Sequence, residues 1–278
     1  MSEPFASEPL EDIEISLLLE GIYRHSGHDF RAYAPATLRR RVLHAMSQEG
    51  LPTISALQAR VLHDPAALTR LRDTLSISVT EMFRDPPFYQ ALREQVLPVL
   101  RTHPFLRVWH AGCATGEEVY SLAILLAEAG LLERTRLYAT DISAPALAVA
   151  RRGIYSQDKL TQYADNYRMS GGRRPFEAYF TAQYDHGLMH AELRRNIIWG
   201  QHNLVTDGSF NEFHLILCRN VLIYFTAPLQ SQVQALLLDS LMPFGVLGLG
   251  RHETLEFSEH QRRFETLNLS EKLYRRIA

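Results

Sequence analysis

The sequence predicts an α/β protein in which a small all-helical domain precedes a doubly wound, mostly parallel sheet. Three observations predict this fold. Apolar positions within residues 10–76 recur only at helical spacing. From residue 106 onward, short apolar runs alternate with helical stretches, as in sheets whose crossovers are helices. The polar stretch 151–203 interrupts that alternation, which indicates an inserted subdomain.

The all-helical domain is predicted from four consecutive helical runs. Apolar residues are dense from 13 to 22, and Pro35 then opens a second run with apolar residues on one helix face. A third run follows Thr53, and a fourth spans 65–75. We therefore expect a bundle over 10–76, joined by a segment over 77–90 to the rest of the chain.

The sheet domain is predicted to cover 91–278, with the inserted subdomain at about 153–203. Ser143 is the expected N-cap of one of its helices. The run 213–218 is continuously apolar, which is typical of a buried parallel strand. The predicted elements are strands at 106–109, 136–142, 213–218 and 244–249, helices at 119–129, 143–150 and 228–241, and a closing hairpin over 264–277.

Composition narrows the class of protein. The chain has 278 residues, 46% hydrophobic and 22% charged, with a formal net charge of −2. These values exclude disorder over most of the chain and argue against a general nucleic-acid binder, which carries a basic excess. The acidic start, the two cysteines and the lack of a long apolar stretch predict a cytoplasmic protein without signal peptide or membrane insertion.

The net charge hides a segregation along the chain. The first 20 residues carry six acids and no base, whereas residues 21–85 carry nine arginines against six acids. Only Lys159 and Lys272 are lysines, so 27 of the 29 basic residues are arginines. Arginine suits bidentate binding of carboxylates, although the bias is also compatible with composition alone.

A glycine-containing loop, G-C-A-T-G-E-E at 112–118, follows the first predicted strand. Gly112 and Gly116 allow close approach of a ligand at a helix start. The dinucleotide fingerprint G-x-G-x-x-G leaves that start free for a pyrophosphate, whereas Glu117 and Glu118 occupy it here. Two carboxylates favour a cationic amine over a pyrophosphate. The alternative is that they only complement the helix dipole.

Asp141 ends the next predicted strand, 25 residues after Gly116. An acid about 20 residues beyond a glycine loop commonly binds ribose hydroxyls. The alternative is that Asp141 or Ser143 only caps the following helix. The position of Asp141 at the strand end favours ribose binding.

The motif S-V-T-E-M-F-R-D-P-P-F at 78–88 lies between the two domains. Its polar residues Thr80 and Arg84 lie on a segment able to close over a ligand. The alternative is a plain linker, which is the preferred interpretation of this stretch in isolation.

The motif I-L-C-R-N-V-L-I-Y-F at 216–225 contains a charge and an amide inside an apolar run. Arg219 and Asn220 stand where the strand leaves the sheet, and their burial is costly unless they meet partners. Arg219 in a structural ion pair is the alternative to a ligand contact. Asn203 and Leu204 follow another short apolar run and are candidates for the same crevice.

Together these motifs resemble the chemotaxis receptor methyltransferase family (CheR), which transfers methyl from S-adenosylmethionine to receptor glutamates. The resemblance extends from about residue 17 to 277, with the motifs in the family's order. It implies a class I methyltransferase (Rossmann-like) sheet, an N-terminal all-helical domain and a small inserted antiparallel β subdomain. The motifs that carry it are S-V-T-E-M-F-R-D-P, G-C-A-T-G-E-E-V-Y-S-L-A, A-T-D-I-S, G-I-Y-S, N-L and C-R-N-V-L-I-Y-F.

The resemblance implies a set of cofactor contacts. Glu117 is implied as the partner of the methionine ammonium, with Glu118 as a second candidate, and Asp141 as the ribose ligand. Arg84 and Tyr224 are implied as catalytic residues, with Tyr224 near the reacting sulfur. Further implied contacts with S-adenosylmethionine, or its product S-adenosylhomocysteine, are Ser78, Thr80, Arg84, Asn203, Leu204, Asn220 and Val221.

Two departures from the family pattern stand in the 78–88 motif. Ser78 occupies a position where many members have asparagine, so its cofactor hydrogen bond is expected to be lost or water-mediated. Met82 replaces a common phenylalanine, a change expected to alter only packing.

The resemblance also implies partners. Arg39, Arg40 and Arg41 resemble the basic helix that faces the cytoplasmic methylation helices of chemoreceptors, which are rich in glutamate. Consecutive residues are about 100° apart on a helix, so not all three face one partner, and a solvated basic face is the alternative. Some members also bind a receptor C-terminal pentapeptide through the inserted subdomain, for which loop 168–174 is the candidate.

The sequence leaves two rival functions open. An NAD-dependent oxidoreductase uses a similar sheet, although the missing third glycine and the paired acids argue against it. A binding module that senses S-adenosylmethionine without turnover is the other alternative. The sequence shows no metal-ligand spacing, and we expect a metal-free monomer.

Overall fold

The structure is a computed structural model that describes residues 8–75, 80–256 and 258–277. Ser78 lies outside these residues. Contacts divide the chain into two compact units, which are considered in turn. Of the described residues, those within 1–77 and 224–229 form the helical unit, and those within 78–223 and 230–278 form the sheet unit.

The helical unit contains the predicted four helices, α1 Leu10–Ser26, α2 Pro35–Gln48, α3 Ile54–His63 and α4 Pro65–Leu75. Pro35 begins α2 as its sequence position predicts, because a proline needs no hydrogen-bond acceptor in the first turn. Thr53 caps α3, its hydroxyl accepting a hydrogen bond from the Ala56 N–H at 3.1 Å. One apolar face of each helix is buried in a common core.

The sheet unit begins with a helical segment and then alternates strands with helices, as predicted. Its leading helices are α5 Pro86–Ala91, a π-helical turn Leu92–Val96 and α6 Leu97–Leu100. The elements of the main sheet and its crossovers are β1 Leu106–Ala111, α7 Glu117–Glu128, β2 Thr135–Asp141, α8 Ala144–Arg152, β6 Ile197–Gln201, β7 Phe213–Cys218, α11 Ala227–Ser240, β8 Leu241–Leu249, β9 Phe264–Asn268 and β10 Leu273–Arg276.

The main sheet has seven strands in the order β6-β2-β1-β7-β8-β10-β9. The first five are parallel to one another, and β10 runs antiparallel to both of its neighbours. Every residue of β7 is buried, which confirms the strand predicted from its continuous apolar run. Because the strands are parallel, the carboxyl ends of β6, β2, β1 and β7 lie along one edge of the sheet, where ligands bind in such folds.

The inserted region forms a second, three-stranded antiparallel sheet in the order β3-β5-β4. Its elements are β3 Ile154–Ser156, α9 Gln157–Met169, β4 Phe180–Gln183, β5 His186–Met189 and α10 Ala191–Arg194. The predicted insertion at 153–203 extends too far toward the C-terminus. The apolar residues of Ile197–Gln201 pair with β2 and form the edge strand of the main sheet.

None of the helices that the structure describes combines the length and the apolar character needed to cross a bilayer.

Candidate active site

The glycine loop between β1 and α7 has a backbone that only small residues allow. Gly112 and Gly116 have φ values of 78° and 91°, in the left-handed region. A Cβ on Gly112 would lie 2.6 Å from Val221 Cγ2, and one on Gly116 would lie 2.8 Å from the Ala150 Cβ. The loop is therefore packed closely against two neighbouring segments, and its glycines are required by contact as well as by φ.

Glu117 is the first residue of α7 and is completely buried. The Thr115 hydroxyl donates a 2.6 Å hydrogen bond to Oε2, and the Tyr163 hydroxyl lies 3.5 Å from Oε1. The Lys159 ammonium is 3.8 Å from the same Oε1. Burial raises the pKa of Glu117 above its ordinary value, although these partners oppose that rise. Glu117 is thus a desolvated carboxylate whose Oε1 has only long contacts, so that this oxygen is available to an incoming cation.

Glu118, the second candidate, has a different environment because its side chain leaves the helix about 100° away. Its Oε1 lies 3.1 Å from His110 Nδ1, and its Oε2 accepts a 3.1 Å hydrogen bond from the Arg219 guanidinium. Burial would raise the pKa of Glu118, but the hydrogen bonds and charges of His110 and Arg219 outweigh it and lower the pKa. Both of its oxygens therefore have partners within the protein, one on each side.

Asp141 ends β2 and joins the glycine loop to the next helix. Its Oδ2 accepts a hydrogen bond from the Ala114 N–H and its Oδ1 from the Ser143 N–H, both at 2.8 Å. Burial raises the pKa of Asp141 above its ordinary value. Each oxygen retains acceptor capacity, since a carboxylate offers about four lone-pair sites. The predicted N-cap is present as well, because the Ser143 hydroxyl accepts from the Ala146 N–H at 3.3 Å.

Arg219 follows β7 and is a structural ion-pair residue, the alternative stated for it above. Its buried guanidinium donates to Asp85 at 2.7 Å, to Glu118 at 3.1 Å and to the Arg84 carbonyl at 3.3 Å. The guanidinium carbon also lies 3.9 Å from the centroid of the Phe88 ring. Arg219 thereby ties the 80–85 segment to the start of α7.

Glu253 is a site residue that sequence reasoning missed. Its buried carboxylate accepts hydrogen bonds from five backbone N–H groups, and burial raises its pKa against their opposing effect. The donors are Gly250 at 2.5 Å, Asn220 at 3.0 Å, Val221 at 2.8 Å, Leu222 at 2.7 Å and Ile223 at 3.3 Å. Glu253 therefore fixes the loop that carries Asn220, whose φ of 59° lies in the left-handed region that asparagine adopts more readily than most residues. The signal available in the sequence was an acid soon after a buried strand, as at Asp141.

The remaining predicted contacts lie on three segments. Thr80 and Arg84 are half-buried in the 80–85 segment, where Met82 is fully buried in the core. Asn203 follows β6, and its side chain accepts from the Val205 N–H at 3.0 Å in an Asx turn. Leu204 beside it is buried.

Strand order brings four of these segments to one sheet edge. Asn203 follows β6, Asp141 ends β2, Glu117 follows β1, and Asn220 with Val221 follows β7. Tyr224 is counted with the helical unit, where its carbonyl accepts from the Ala34 N–H at 2.8 Å. Within the described part of the chain, no three metal-ligating side chains are grouped closely enough to hold an ion.

The three arginines of α2 have unequal surroundings in the helical unit. Arg39 forms a two-point ion pair with Glu11 at 2.8 and 2.9 Å. Arg41 donates to the Thr74 carbonyl at 2.5 Å, and burial lowers its pKa. Arg40 is exposed. Arg39 is exposed as well, so the two residues differ in the ion pair with Glu11 and not in whether they are exposed.

Both parts of the chain match models of known protein families. Residues 13–76 match the family model described as CheR methyltransferase, all-alpha domain, and residues 78–273 match CheR methyltransferase, SAM binding domain. A Pseudomonas putida protein named "Putative methyltransferase Cher3" is 50% identical over 97% of this chain and 99% of its own length.

Two further similarities are more distant. A chemotaxis protein methyltransferase of Listeria innocua is 31% identical over 84% of this chain and 87% of its own. The solved structure of the N-methyltransferase NodS from Bradyrhizobium japonicum with S-adenosyl-L-homocysteine has a TM-score of 0.35, at 17% identity and 70% coverage of each chain. Both family models and the 50% identical relative cover nearly the whole sequence, and the chain belongs to the CheR methyltransferase family.

Proposed function

We propose that this protein transfers methyl from S-adenosylmethionine to glutamate side chains of bacterial chemoreceptors, forming glutamate 5-O-methyl esters. The observation that carries the proposal is the buried carboxylate of Glu117, held on the same sheet edge as Asp141. The family model for a SAM binding domain and the relatives named chemotaxis protein methyltransferase support it.

The residues at this edge fit the parts of the cofactor. Gly112 and Gly116 have positive φ values and no side chains, so a ligand at this loop would meet its backbone. Glu117 offers a carboxylate to the methionine ammonium, and Asp141 offers acceptors to two ribose hydroxyls. We propose Thr80, Arg84, Asn203, Leu204, Asn220 and Val221 as further contacts. When bound, S-adenosylmethionine supplies an electrophilic methyl group on a sulfonium.

The chemistry asks little of the protein beyond positioning. A glutamate carboxylate has a pKa of about 4.3 and is ionised at neutral pH, so no general base is needed. A carboxylate and a cation lose charge as they react, and water stabilises the separated ions more than the transition state. The protein therefore accelerates the reaction by holding the carboxylate in line and excluding water.

We propose that Arg84 and Tyr224 orient the substrate carboxylate. A tight ion pair would make that carboxylate a poorer nucleophile, so a weak or indirect contact is expected. On α2, exposed Arg40 would attract the acidic receptor helix, with Arg39 and Arg41 contributing less because both have internal partners.

A receptor C-terminal pentapeptide is a separate proposed partner of the inserted region. Loop 168–174 is a weak candidate for the peptide site, because each of its two glycines has a structural role. Gly171 has a φ of 85° just after α9, and a Cβ on Gly172 would lie 2.3 Å from the Tyr167 ring. Unchanged binding of a receptor lacking its tail would remove this proposal.

Titration calorimetry separates the methyltransferase from an NAD-dependent oxidoreductase. We expect S-adenosylhomocysteine to bind and NAD to give no heat beyond dilution, because Glu117 repels a pyrophosphate. Binding of NAD without S-adenosylhomocysteine would overturn the proposed function.

Turnover separates the enzyme from a cofactor-sensing module. S-adenosylmethionine labelled in its methyl group is incubated with membranes that contain chemoreceptors, and mild base then releases esters as methanol. We expect base-labile label in the receptor band. Cofactor binding without any base-labile label, tested on every available receptor, would leave a binding module as the function.

A further inference from the structure

Helix α9 of the inserted region lies against the candidate active site, although no predicted site residue is on it. The Gln162 side chain donates to Glu81 at 3.2 Å, and the Asn166 side chain donates to the Met82 carbonyl at 3.1 Å. Tyr163, between them, directs its hydroxyl to Glu117. One face of α9 is therefore tied both to the 80–85 segment and to the start of α7.

Lys159 lies on the same face of α9, one turn before Tyr163. Among the residues that the structure describes, it is the only cation that forms an ion pair with Glu117. The Nζ–Oε1 distance of 3.8 Å is longer than a hydrogen bond, and the Lys159 side chain is 55% exposed while that of Glu117 is fully buried. The ammonium group is thus at the outer end of a loose pair and is free to move on its flexible stem.

An amino-acid zwitterion presents both charges from one carbon atom. Glu117 matches only the ammonium group, and the carboxylate of the ligand would then lie near a buried carboxylate of the same charge. A cation near that carboxylate offsets the repulsion, and Lys159 would act there beside Arg84, which is proposed above as a cofactor contact. Lys159 is a lysine in a chain whose basic residues are otherwise almost all arginine, and it has the needed charge beside Glu117.

We infer that Lys159 is a specificity-determining residue that binds the carboxylate of the cofactor's amino-acid end. In the free protein Lys159 faces Glu117. On binding, the ligand ammonium takes Glu117, and Lys159 turns to the ligand carboxylate, so each charge keeps an opposite partner throughout. This inference rests on the proposed cofactor site. It predicts selection for adenosine thioethers that carry a complete amino acid.

The test compares three ligands by titration calorimetry. S-adenosylhomocysteine carries both charges, its decarboxylated analogue keeps only the amine, and 5′-methylthioadenosine has neither. Lys159→Met removes the charge but keeps an apolar stem, and Lys272→Met is the matched control at the only other lysine. Lys272 lies in the turn before β10, where its carbonyl accepts a 3.0 Å hydrogen bond from the Leu249 N–H.

We expect Lys159→Met to weaken S-adenosylhomocysteine binding about 10-fold or more, the usual effect of losing a charge-assisted hydrogen bond. The decarboxylated analogue should keep its wild-type affinity, and Lys159→Arg should recover part of the loss. Lys272→Met should change neither ligand. Because Lys159 is exposed, the variant should also keep the wild-type melting temperature.

An equal loss for S-adenosylhomocysteine and its decarboxylated analogue would show that Lys159 acts only through Glu117, and would overturn the inference. Unchanged affinity for S-adenosylhomocysteine would do the same. Both results leave the proposed function intact, since that depends on the wild-type protein binding S-adenosylhomocysteine. If the wild-type protein fails to bind S-adenosylhomocysteine, that result overturns the proposed function itself.

Discussion

The two units of this chain use charge in opposite ways. The sheet unit buries Glu117, Asp141, Arg219 and Glu253, each with hydrogen-bond partners. The charged pairs of the helical unit, such as Arg39 with Glu11, remain on its surface. Buried charges are costly and surface pairs contribute little to stability, so the former are expected where geometry or a ligand requires them. The buried charges fit the chemistry that we propose for the sheet unit, and the exposed charges fit the recognition that we propose for the helical unit.

The largest effect on stability is expected from Glu253→Ala. This substitution leaves five backbone N–H groups without their acceptor in a buried loop, and should cost about 3 kcal/mol or more of unfolding free energy. Denaturant unfolding followed by circular dichroism measures it. Glu265→Gln, which removes an exposed partner of Arg275, is the control and should cost at most about 1 kcal/mol. Equal midpoints for the two variants would show that the Glu253 hydrogen bonds are dispensable.

The largest effect on cofactor affinity is expected from Asp141→Asn. Loss of two charge-assisted hydrogen bonds to ribose should weaken S-adenosylhomocysteine binding about 100-fold. Titration calorimetry gives the affinity, with Asp239→Asn at an exposed position of α11 as control. The ribose assignment fails if both variants bind like the wild type.

A smaller effect is expected from pH. The pKa values of Glu117 and Asp141 are both raised by burial. The protein should bind S-adenosylhomocysteine with its full affinity at pH values above both raised pKa values. The affinity should fall as pH drops through these pKa values, because a protonated Glu117 no longer attracts the ligand ammonium. Calorimetry as a function of pH should show this acid limb displaced above the ordinary glutamate pKa of about 4.3. Glu117→Gln should bind S-adenosylhomocysteine about 10-fold more weakly at neutral pH, and its affinity should depend less steeply on pH. An acid limb identical in Glu117→Gln would assign the titration to another group.

The smallest effect is expected on the helical unit. Arg40→Glu should raise the KM for receptor about fivefold, equivalent to about 1 kcal/mol for an exposed charge, with unchanged S-adenosylhomocysteine affinity. Arg60→Glu on α3 is the control for a reversed surface charge. Initial rates of methyl transfer to receptor membranes give the comparison. The same KM for both variants would contradict a recognition role for Arg40.

Features set by nearby residues were predictable from the sequence. Pro35 and Thr53 begin their helices, and β7 is buried, because each depends on the local pattern. Glu117 and Asp141 were singled out because each stands where a strand and a helix meet. The end of the insertion was misplaced because β6 is recognised only through its pairing with β2.

Features set by distant pairing were not predictable in the same way. Arg219 meets Glu118 across 101 positions, and Tyr163 meets Glu117 across 46. Glu253 acts on a loop about 30 residues earlier, and nothing in the local sequence specifies its donors. Such contacts depend on strand order and on how α9 packs, which single-sequence patterns do not determine.

We propose above that the sheet unit directs methyl from S-adenosylmethionine to a receptor glutamate. The most direct measurement is mass spectrometry of peptides from a chemoreceptor incubated with the wild-type protein and with Asp141→Asn. We expect a methyl ester on glutamate side chains that is removed by mild base and strongly reduced with the variant. A base-stable methyl group on a nitrogen, or no modified glutamate on any receptor while the cofactor is bound, would contradict it.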